Sequence, residues 1–264
     1  MSIFKVITFN VNSLKARYEV VSLLMGRERP HVLCLQETKV QDRDFPEDLF
    51  SSNGYRVFYR GMKSYNGVAV AVLEDLGEVE GHFFGFPGGG EETDDARLAV
   101  VRVGGIWVVN CYVPQGKEVE HPDYLYKLRF LQRLRDLVGE LKVGGAEVLV
   151  VGDLNVAPAP LDVTHPENKV NHVCFHQDVR RAFEELLSVG LRDLFRLHRP
   201  GEGEFSFWDY RVKGALERNI GWRIDHILGT GGLAERSLDA VVLREYRAME
   251  RPSDHGPVMG VFKG

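Results

Sequence analysis

Five apolar stretches of this chain end in, or contain, a side chain suited to metal or proton chemistry, and a sixth such group lies near the C-terminus. The stretches are VITFNVN (Val6–Asn12), VLCLQET (Val32–Thr38), WVVNCYVP (Trp107–Pro114), VLVVGDLN (Val148–Asn155) and RIDHIL (Arg223–Leu228), and the last group is PSDHGPV (Pro252–Val258). Runs so rich in Val, Ile and Leu read as buried strands, and a strand end is where the backbone can aim a polar group into a cleft. One carboxylate placed this way means little. Asn10, Asn12, Glu37, Tyr112, Asp153, Asn155, Asp225, Asp254 and His255 together suggest one site assembled from many strand ends.

The runs alternate with helical patterns. Between VITFNVN and VLCLQET the spacing predicts a helix near Ala16–Arg29, and between WVVNCYVP and VLVVGDLN one over Pro122–Leu141. In the second, Leu125, Leu128, Leu131, Leu134 and Leu141 fall mostly three or four residues apart, with Lys and Arg between them, and Pro122 suits a first turn. Each half thus reads strand, helix, strand, a weak internal echo. Shorter strands are expected at Tyr55–Tyr59, Gly67–Val72 and Leu98–Val103, a third helix at Val179–Ser188, and long loops at Phe84–Ala96, Ala157–His172 and Tyr210–Gly221. Two sheets packed face to face with helices outside would bury such strands on both faces. No linker-like segment divides the 264 residues, so one domain is expected.

Apolar content of 44% is ordinary for a folded core, and no run approaches the roughly 18–20 apolar residues needed to cross a bilayer. The opening MSIFKVITFN lacks the features of a secretion signal, and the three cysteines, Cys34, Cys111 and Cys174, include no CxxC pair; a cytoplasmic location is expected. The net charge of −5 lowers the expectation of tight nonspecific binding to nucleic acid. Charge is segregated, however: Gly88–Asp95 holds four acids and no base, whereas Arg211, Lys213, Arg218 and Arg223 cluster with few acids between them. A local basic face is compatible with that pattern.

Taken singly, most of these residues have a bland reading. Asp153 and Asn155 share a strand face and can point into one cleft, but GDLN is also turn-like. An ionised Asp can take a proton from water, and an Asn amide can orient that carboxylate or hold a phosphate oxygen. Asn10 and Asn12 repeat the spacing, with local capping as the alternative. Glu37 ends a buried run, where a carboxylate is costly unless paired or bound to a cation. Magnesium takes one or two carboxylates plus waters and phosphate, which makes Glu37 the first choice as ligand, against an ion pair with Lys39 or Arg17. Adjacent residues on a strand face opposite ways, so Asp225-His226 should split, and Asp225 can pair with His255 and fix its tautomer, leaving Asp254 near the metal. Tyr112 can donate to a phosphate oxygen or anchor its strand. Arg97, Lys127, Arg211 and Arg218 are candidate phosphate contacts or ordinary solvated charges. In FSFWDYR, Phe207 and Trp208 can wall a pocket for an unstacked sugar or base, or pack in the core.

As an ordered set, FNVNSLKAR, LQETKV, NCYVPQG, VVGDLNVAP, SFWDYR, RNIGWRIDHIL and PSDHGPV resemble the exonuclease III family of apurinic/apyrimidinic endonucleases, within the endonuclease/exonuclease/phosphatase superfamily. The resemblance covers about Ile3 to Phe262. It implies a four-layer αββα sandwich, with two mixed sheets flanked by helices. It also implies hydrolysis of the phosphodiester 5′ to an abasic site in duplex DNA, with 3′ phosphodiesterase and 3′→5′ exonuclease activity. Carried over motif by motif, it implies Glu37 as the principal ligand of Mg2+ or Mn2+, with Asn10 and Asp254 nearby. Asp153 would handle water, Asn155 and Tyr112 would hold the phosphate, and His255, paired with Asp225, would contact it. Trp208 would lie in the abasic pocket, and Arg97, Gln115 and Lys127 near the DNA. A monomer with no obligate protein partner and no membrane attachment is expected. Asn12 stands where some members carry Asp, and His226 and the loop Leu161–Val173 depart from the family pattern. Two other readings compete: a superfamily phosphatase acting on a lipid or inositol phosphate, and a catalytically dead DNA-binding protein. SFWDYR and the basic loop after it argue against the first, and the presence of Glu37, Asp153 and His255 against the second.

Overall fold

The computed structural model describes residues 2–88 and 95–264, so the acidic segment 88–95 and the 84–96 loop lie partly outside the described residues. The strands are β1 (Ile3–Asn10), β2 (Val32–Gln36), β3 (Tyr55–Arg60), β4 (Val68–Leu73), β5 (Val79–Phe84), β6 (Leu98–Val103), β7 (Ile106–Tyr112), β8 (Glu147–Asp153), β9 (Leu191–Asp193), β10 (Asp225–Thr230), β11 (Ser237–Val242) and β12 (Val258–Lys263). They form two six-stranded sheets, ordered β11-β12-β1-β2-β4-β3 and β5-β6-β7-β8-β10-β9. The internal echo is realised strand for strand. In each sheet one parallel pair, β1–β2 or β7–β8, sits at the centre, and every other pairing is antiparallel.

A parallel pair needs a crossover, and the expected helices supply it: α1 (Tyr18–Glu28) follows β1 and, after the short α2 (Glu47–Ser51), α3 (Pro122–Leu141) follows β7. Pro122 occupies the first turn of α3, and the His121 ring accepts from the Asp123 backbone N–H. The third expected helix is α4 (Gln177–Ser188). One apolar core lies between the sheets. A second packs one sheet against α1 and α2, and a third packs the other against α3 and α4. The architecture is therefore the four-layer αββα sandwich.

Between the sheets the core is not wholly apolar. Gln36 donates to Thr8 Oγ1 (2.9 Å) and to Asn110 Oδ1 (2.7 Å), and Asn110 donates across to the carbonyls of Leu35 (3.0 Å) and Ala69 (2.9 Å). A buried amide left unpaired costs about 1–3 kcal/mol, so this cross-sheet set favours one alignment of the sheets. Because β10 and β12 run antiparallel to their neighbours, their N-terminal ends meet the C-terminal ends of β8 and β1. Asp225 stands opposite Asp153, which stands beside Tyr112. Gly152 makes this close approach possible: its φ is +140°, and a Cβ there would sit 1.9 Å from the Cys111 carbonyl oxygen.

Strands β5, β9, β11 and β12 were not expected from the sequence. β5 and β11 are half-exposed edge strands whose patterns mix charged and apolar residues, and β9 has only three residues.

Candidate active site

Asn10 ties the two sheets together at the strand ends. Its amide nitrogen donates to Glu37 Oε1 (2.8 Å) and to Asp153 Oδ2 (2.9 Å), while its oxygen accepts from the Asn12 backbone N–H (3.0 Å). That last bond fixes the amide orientation. Asn10 therefore offers the site a nitrogen that holds two carboxylates, rather than an oxygen that could ligate a cation.

On one side, the Lys39 ammonium contacts Glu37 Oε2 (3.0 Å) and Asn12 Oδ1 (2.6 Å), and Asn12 Nδ2 donates to Asp254 Oδ1 (3.0 Å). Of the two partners considered for Glu37, Lys39 is the one present; Arg17 instead holds the carbonyls of Asn12 and Pro252. Glu37 and Lys39 both adopt left-handed backbone, φ 49° and 54°, which is strained for bulky side chains. Burial works to raise the Glu37 carboxyl, but the Asn10 amide and the Lys39 ammonium outweigh it and hold it below the ordinary range.

On the other side, His255 Nδ1 lies 2.8 Å from Asp225 Oδ2, and its Nε2 lies 3.8 Å from Asp153 Oδ2. Burial alone would lower this histidine; the carboxylates of Asp225, Asp153 and Asp254 overcome it and raise it well above its usual value. Asp153 is shifted upward, first by burial and then by Asp225 and Glu37, against the pull of His255. The Asn155 backbone N–H donates to Asp153 Oδ1 (2.9 Å), and the Asn155 amide to the Val113 carbonyl (3.0 Å). Tyr112 is held as the neutral phenol by burial and by the nearby charges of Glu37 and Asp153.

These groups open onto a cleft of about 400 Å³ lined by Glu37, Tyr112, Gln115, Asp153, Asn155, Asp254 and His255 together with Phe207, Trp222, Ile224, His172 and Cys174. Asp209, Tyr210 and Arg211 complete the lining. Phe207 packs against His255 (centroids 4.9 Å apart), and His172 against Trp222 (4.5 Å).

Two expectations are overturned. Trp208 is fully buried, with Nε1 donating to Asn219 Oδ1, and walls no pocket. Phe207 pairs through its backbone with Trp222 and faces the cleft, so its neighbour must face the core. Trp222 and Ile224, missed in the sequence, supply the apolar surface instead. Lys127 is also fully buried, donating to three backbone carbonyls, and cannot reach a DNA phosphate.

Arg97 is engaged as well. It pairs with Asp95 (2.7 Å), lies over the Tyr112 ring (4.5 Å to its centroid) and donates to the Tyr112 carbonyl, so it supports Tyr112 from outside the cleft lining. Arg211 is exposed at the cleft and clamped by Asp209; Arg218 is exposed but outside the lining, donating to the Lys213 carbonyl.

The loop at 161–173 is anchored by a buried network. Arg223 pairs with Asp162 (2.6 Å) and Asp193 (2.8 Å) and lies 3.1 Å from His226 Nδ1. His226 Nε2 is 2.8 Å from the Val156 carbonyl, so Nε2 carries the hydrogen and Nδ1 accepts. Asp225 and His226 do split, one toward the cleft and one toward this network.

Asp225 Oδ1 is buried and has no hydrogen-bond partner among the described residues. With Glu37, Asp153 and Asp254 nearby, the site is rich in hard oxygen donors, a set that suits Mg2+ or Mn2+ rather than a soft metal.

The Endonuclease/Exonuclease/phosphatase family model matches residues 7–255 of the chain. The exodeoxyribonuclease III of Haemophilus influenzae is 34% identical over 98% of this chain and 100% of its own length. Among solved structures, an AP endonuclease from Archaeoglobus fulgidus is 44% identical with a TM-score of 0.94, covering 99% of this chain and 100% of that one. The 3′ phosphatase NExo from Neisseria, solved bound to product DNA hairpin, is 32% identical with a TM-score of 0.93 over 99% of this chain and 100% of that one.

Proposed function

The chain belongs to the endonuclease/exonuclease/phosphatase family, and from that premise we propose that it is a metal-dependent DNA-repair nuclease that cuts the phosphodiester 5′ to an abasic site in duplex DNA. We infer 3′ phosphodiesterase and 3′→5′ exonuclease activities at the same site. The observation that carries this reading is the Asn10 amide, which bridges Glu37 and Asp153, with His255 Nε2 3.8 Å from Asp153 Oδ2. That arrangement joins a cation-binding carboxylate to a proton-handling one.

Glu37 would hold Mg2+ or Mn2+, with Asp254 alongside. Asp153, Asp225 and His255 also approach one another within 4.8 Å; because His255 is bonded to Asp225, we give that trio the proton handling. When bound, the cation supplies charge stabilisation for the phosphate oxygens and the departing oxygen. Asp153 orients the attacking water and takes its proton, helped by an upward-shifted carboxyl. Asp225 keeps a hydrogen on Nδ1 of His255 and leaves Nε2 to meet the phosphate. Tyr112 donates its phenolic hydrogen, and Asn155 its second amide hydrogen, to charge that develops on phosphorus-bound oxygen. Phe207, Trp222 and Ile224 receive the sugar of an abasic nucleotide, which gives up little stacking on leaving the duplex. Gln115 and Arg211 are the polar groups at the rim suited to the DNA backbone.

No helix among the described residues is long and apolar enough to cross a membrane. We read the protein as a single-domain cytoplasmic monomer with no obligate protein partner. The test is one assay with three substrates: a duplex with a single abasic site, a duplex with a recessed 3′ end, and a soluble inositol phosphate. Cleavage of the abasic duplex supports the proposal. Exclusive shortening of the 3′ end moves the assignment to an exonuclease, and turnover of the inositol phosphate alone overturns it.

A further inference from the structure

Lys127 lies in the second turn of α3 with no exposed surface. Its ammonium donates to the carbonyls of Gln115 (2.9 Å), Asn155 (2.7 Å) and Val173 (2.8 Å), which uses all three of its hydrogens. Those carbonyls belong to three points on two connections: the β7–α3 loop, and the two ends of the long segment between β8 and α4. Each point adjoins the cleft lining, through Gln115, Asn155, and His172 with Cys174. The Cys174 sulfur also lies 3.9 Å from the ammonium. No carboxylate pairs with Lys127 among the described residues, so the fold carries a buried cation that packing alone would fill with Leu or Met. Gly116 marks how closely the first loop is drawn in. With φ +101°, a Cβ there would lie 3.2 Å from Tyr124 Cδ2 and 3.3 Å from Lys127 Cδ.

We propose that Lys127 is a positioning residue that holds Gln115, Asn155 and the His172–Cys174 segment at fixed spacing around the cleft, acting on turnover through Asn155 and without touching DNA. The proposal rests on the nuclease reading above. Asn155 needs such support: its backbone is left-handed (φ 52°), and its N–H is a hydrogen-bond donor to Asp153. A shift of the Asn155 carbonyl therefore reaches the carboxylate that handles water.

The experiment compares wild type, Lys127→Met and Lys127→Arg as full chains. Single-turnover rate and KM are measured on an abasic duplex, the salt dependence of duplex binding in chelator, and thermal unfolding separately. Lys127→Met is expected to lower the saturating rate about 10- to 100-fold well below its melting temperature, with KM and the salt slope unchanged. Lys127→Arg should recover part of that loss. A lower melting temperature with an unchanged saturating rate would show a purely structural lysine and overturn the proposal. A raised KM with a salt slope reduced by about one would show a phosphate contact and overturn it as well. If Lys127→Met does not fold, Gly116→Ala presses on the lysine stem directly, and normal turnover in that variant refutes the idea. Loss of cleavage by wild type would count against the nuclease reading instead. In that case the amide resonances of Gln115, Asn155 and Cys174 still decide: they move together in Lys127→Met if the lysine holds the loops, and stay in place if it does not.

Discussion

His255 Nδ1 sits 2.8 Å from Asp225 Oδ2, and the same oxygen accepts from Ser206 Oγ at 2.6 Å. The serine hydroxyl also receives the backbone N–H groups of Ile224 and Asp225, both at 3.1 Å. The carboxylate is thus fixed by Ser206, itself anchored on the Ile224 and Asp225 backbone, and it fixes the imidazole in turn. Asp225→Asn retains the shape but removes the carboxylate charge that raises His255, so the imidazole holds its second hydrogen less well and the charged donor to the phosphate is weakened. Turnover is expected to fall by about 10²-fold or more with duplex affinity unchanged, measured by single-turnover kinetics and binding in chelator. Wild-type turnover would remove the pair from the mechanism.

Asp153→Asn removes the proton acceptor and keeps the shape, its single oxygen accepting from either the Asn10 amide or the Asn155 N–H but not both. Turnover should drop by about 10²-fold or more, while binding to an abasic duplex stays within a few-fold of wild type. Weakened binding with intact turnover would reverse that assignment.

The two tryptophans should separate cleanly. Trp222→Ala is expected to lower kcat/KM on the abasic duplex about tenfold, because an aromatic platform of the cleft is lost, with a smaller loss of stability than the fully buried tryptophan gives. Trp208→Ala removes a fully buried side chain and should cost about 3–5 kcal/mol in denaturant unfolding. Equal effects on stability would contradict the placement of Trp222 at the cleft.

Stability should depend on pH through His226. Burial, reinforced by Arg223, holds it at about 4 against an ordinary 6.5, so the unfolded chain binds this proton first as pH falls. The stabilisation is complete above pH 6.5 and is lost as pH drops from 6.5 to about 4, by roughly 3 kcal/mol in all. His172 is lowered in the same direction, so the informative quantity is a difference between variants. His226→Gln does not titrate, and its unfolding free energy should fall less steeply than wild type across that window. Parallel curves would contradict the neutral, buried histidine.

Glu37→Gln should weaken Mn2+ binding, followed by calorimetry on the free protein, and shift the metal dependence of cleavage to higher concentration. An unchanged binding isotherm would point to the Asp153–Asp225–His255 trio as the cation site.

Much of this site was legible because each of its polar groups interrupts or ends an apolar run. Asn10, Glu37, Asp153 and Asp225 stand out for that physical reason: a strand that buries both faces does not spend a polar side chain at its end without a partner. The aromatic wall was harder. Phe207 and Trp208 are neighbours, and alternation requires one of them to face inward, but sequence alone does not say which. Trp222 carried a usable signal, two residues before Ile224 in the same extended segment. Lys127 carried another. With Tyr124, Leu131, Leu134 and Val138 it falls at three- and four-residue spacing on the buried stripe of α3, where a charge is not solvated. The half-exposed edge strands β5 and β11 gave no such pattern, since one face meets solvent.

The most direct test of the account is the chemistry of the ends it produces. A duplex with one internal abasic site is incubated with enzyme in Mg2+ and, separately, in chelator, and the fragment ends are identified. The first cut in Mg2+ is expected to leave a 3′ hydroxyl on one fragment and a 5′ phosphate on the abasic residue of the other, before any shortening of 3′ ends, with no cut in chelator. Persistent cleavage in chelator, or a cut on the 3′ side of the site, would contradict it.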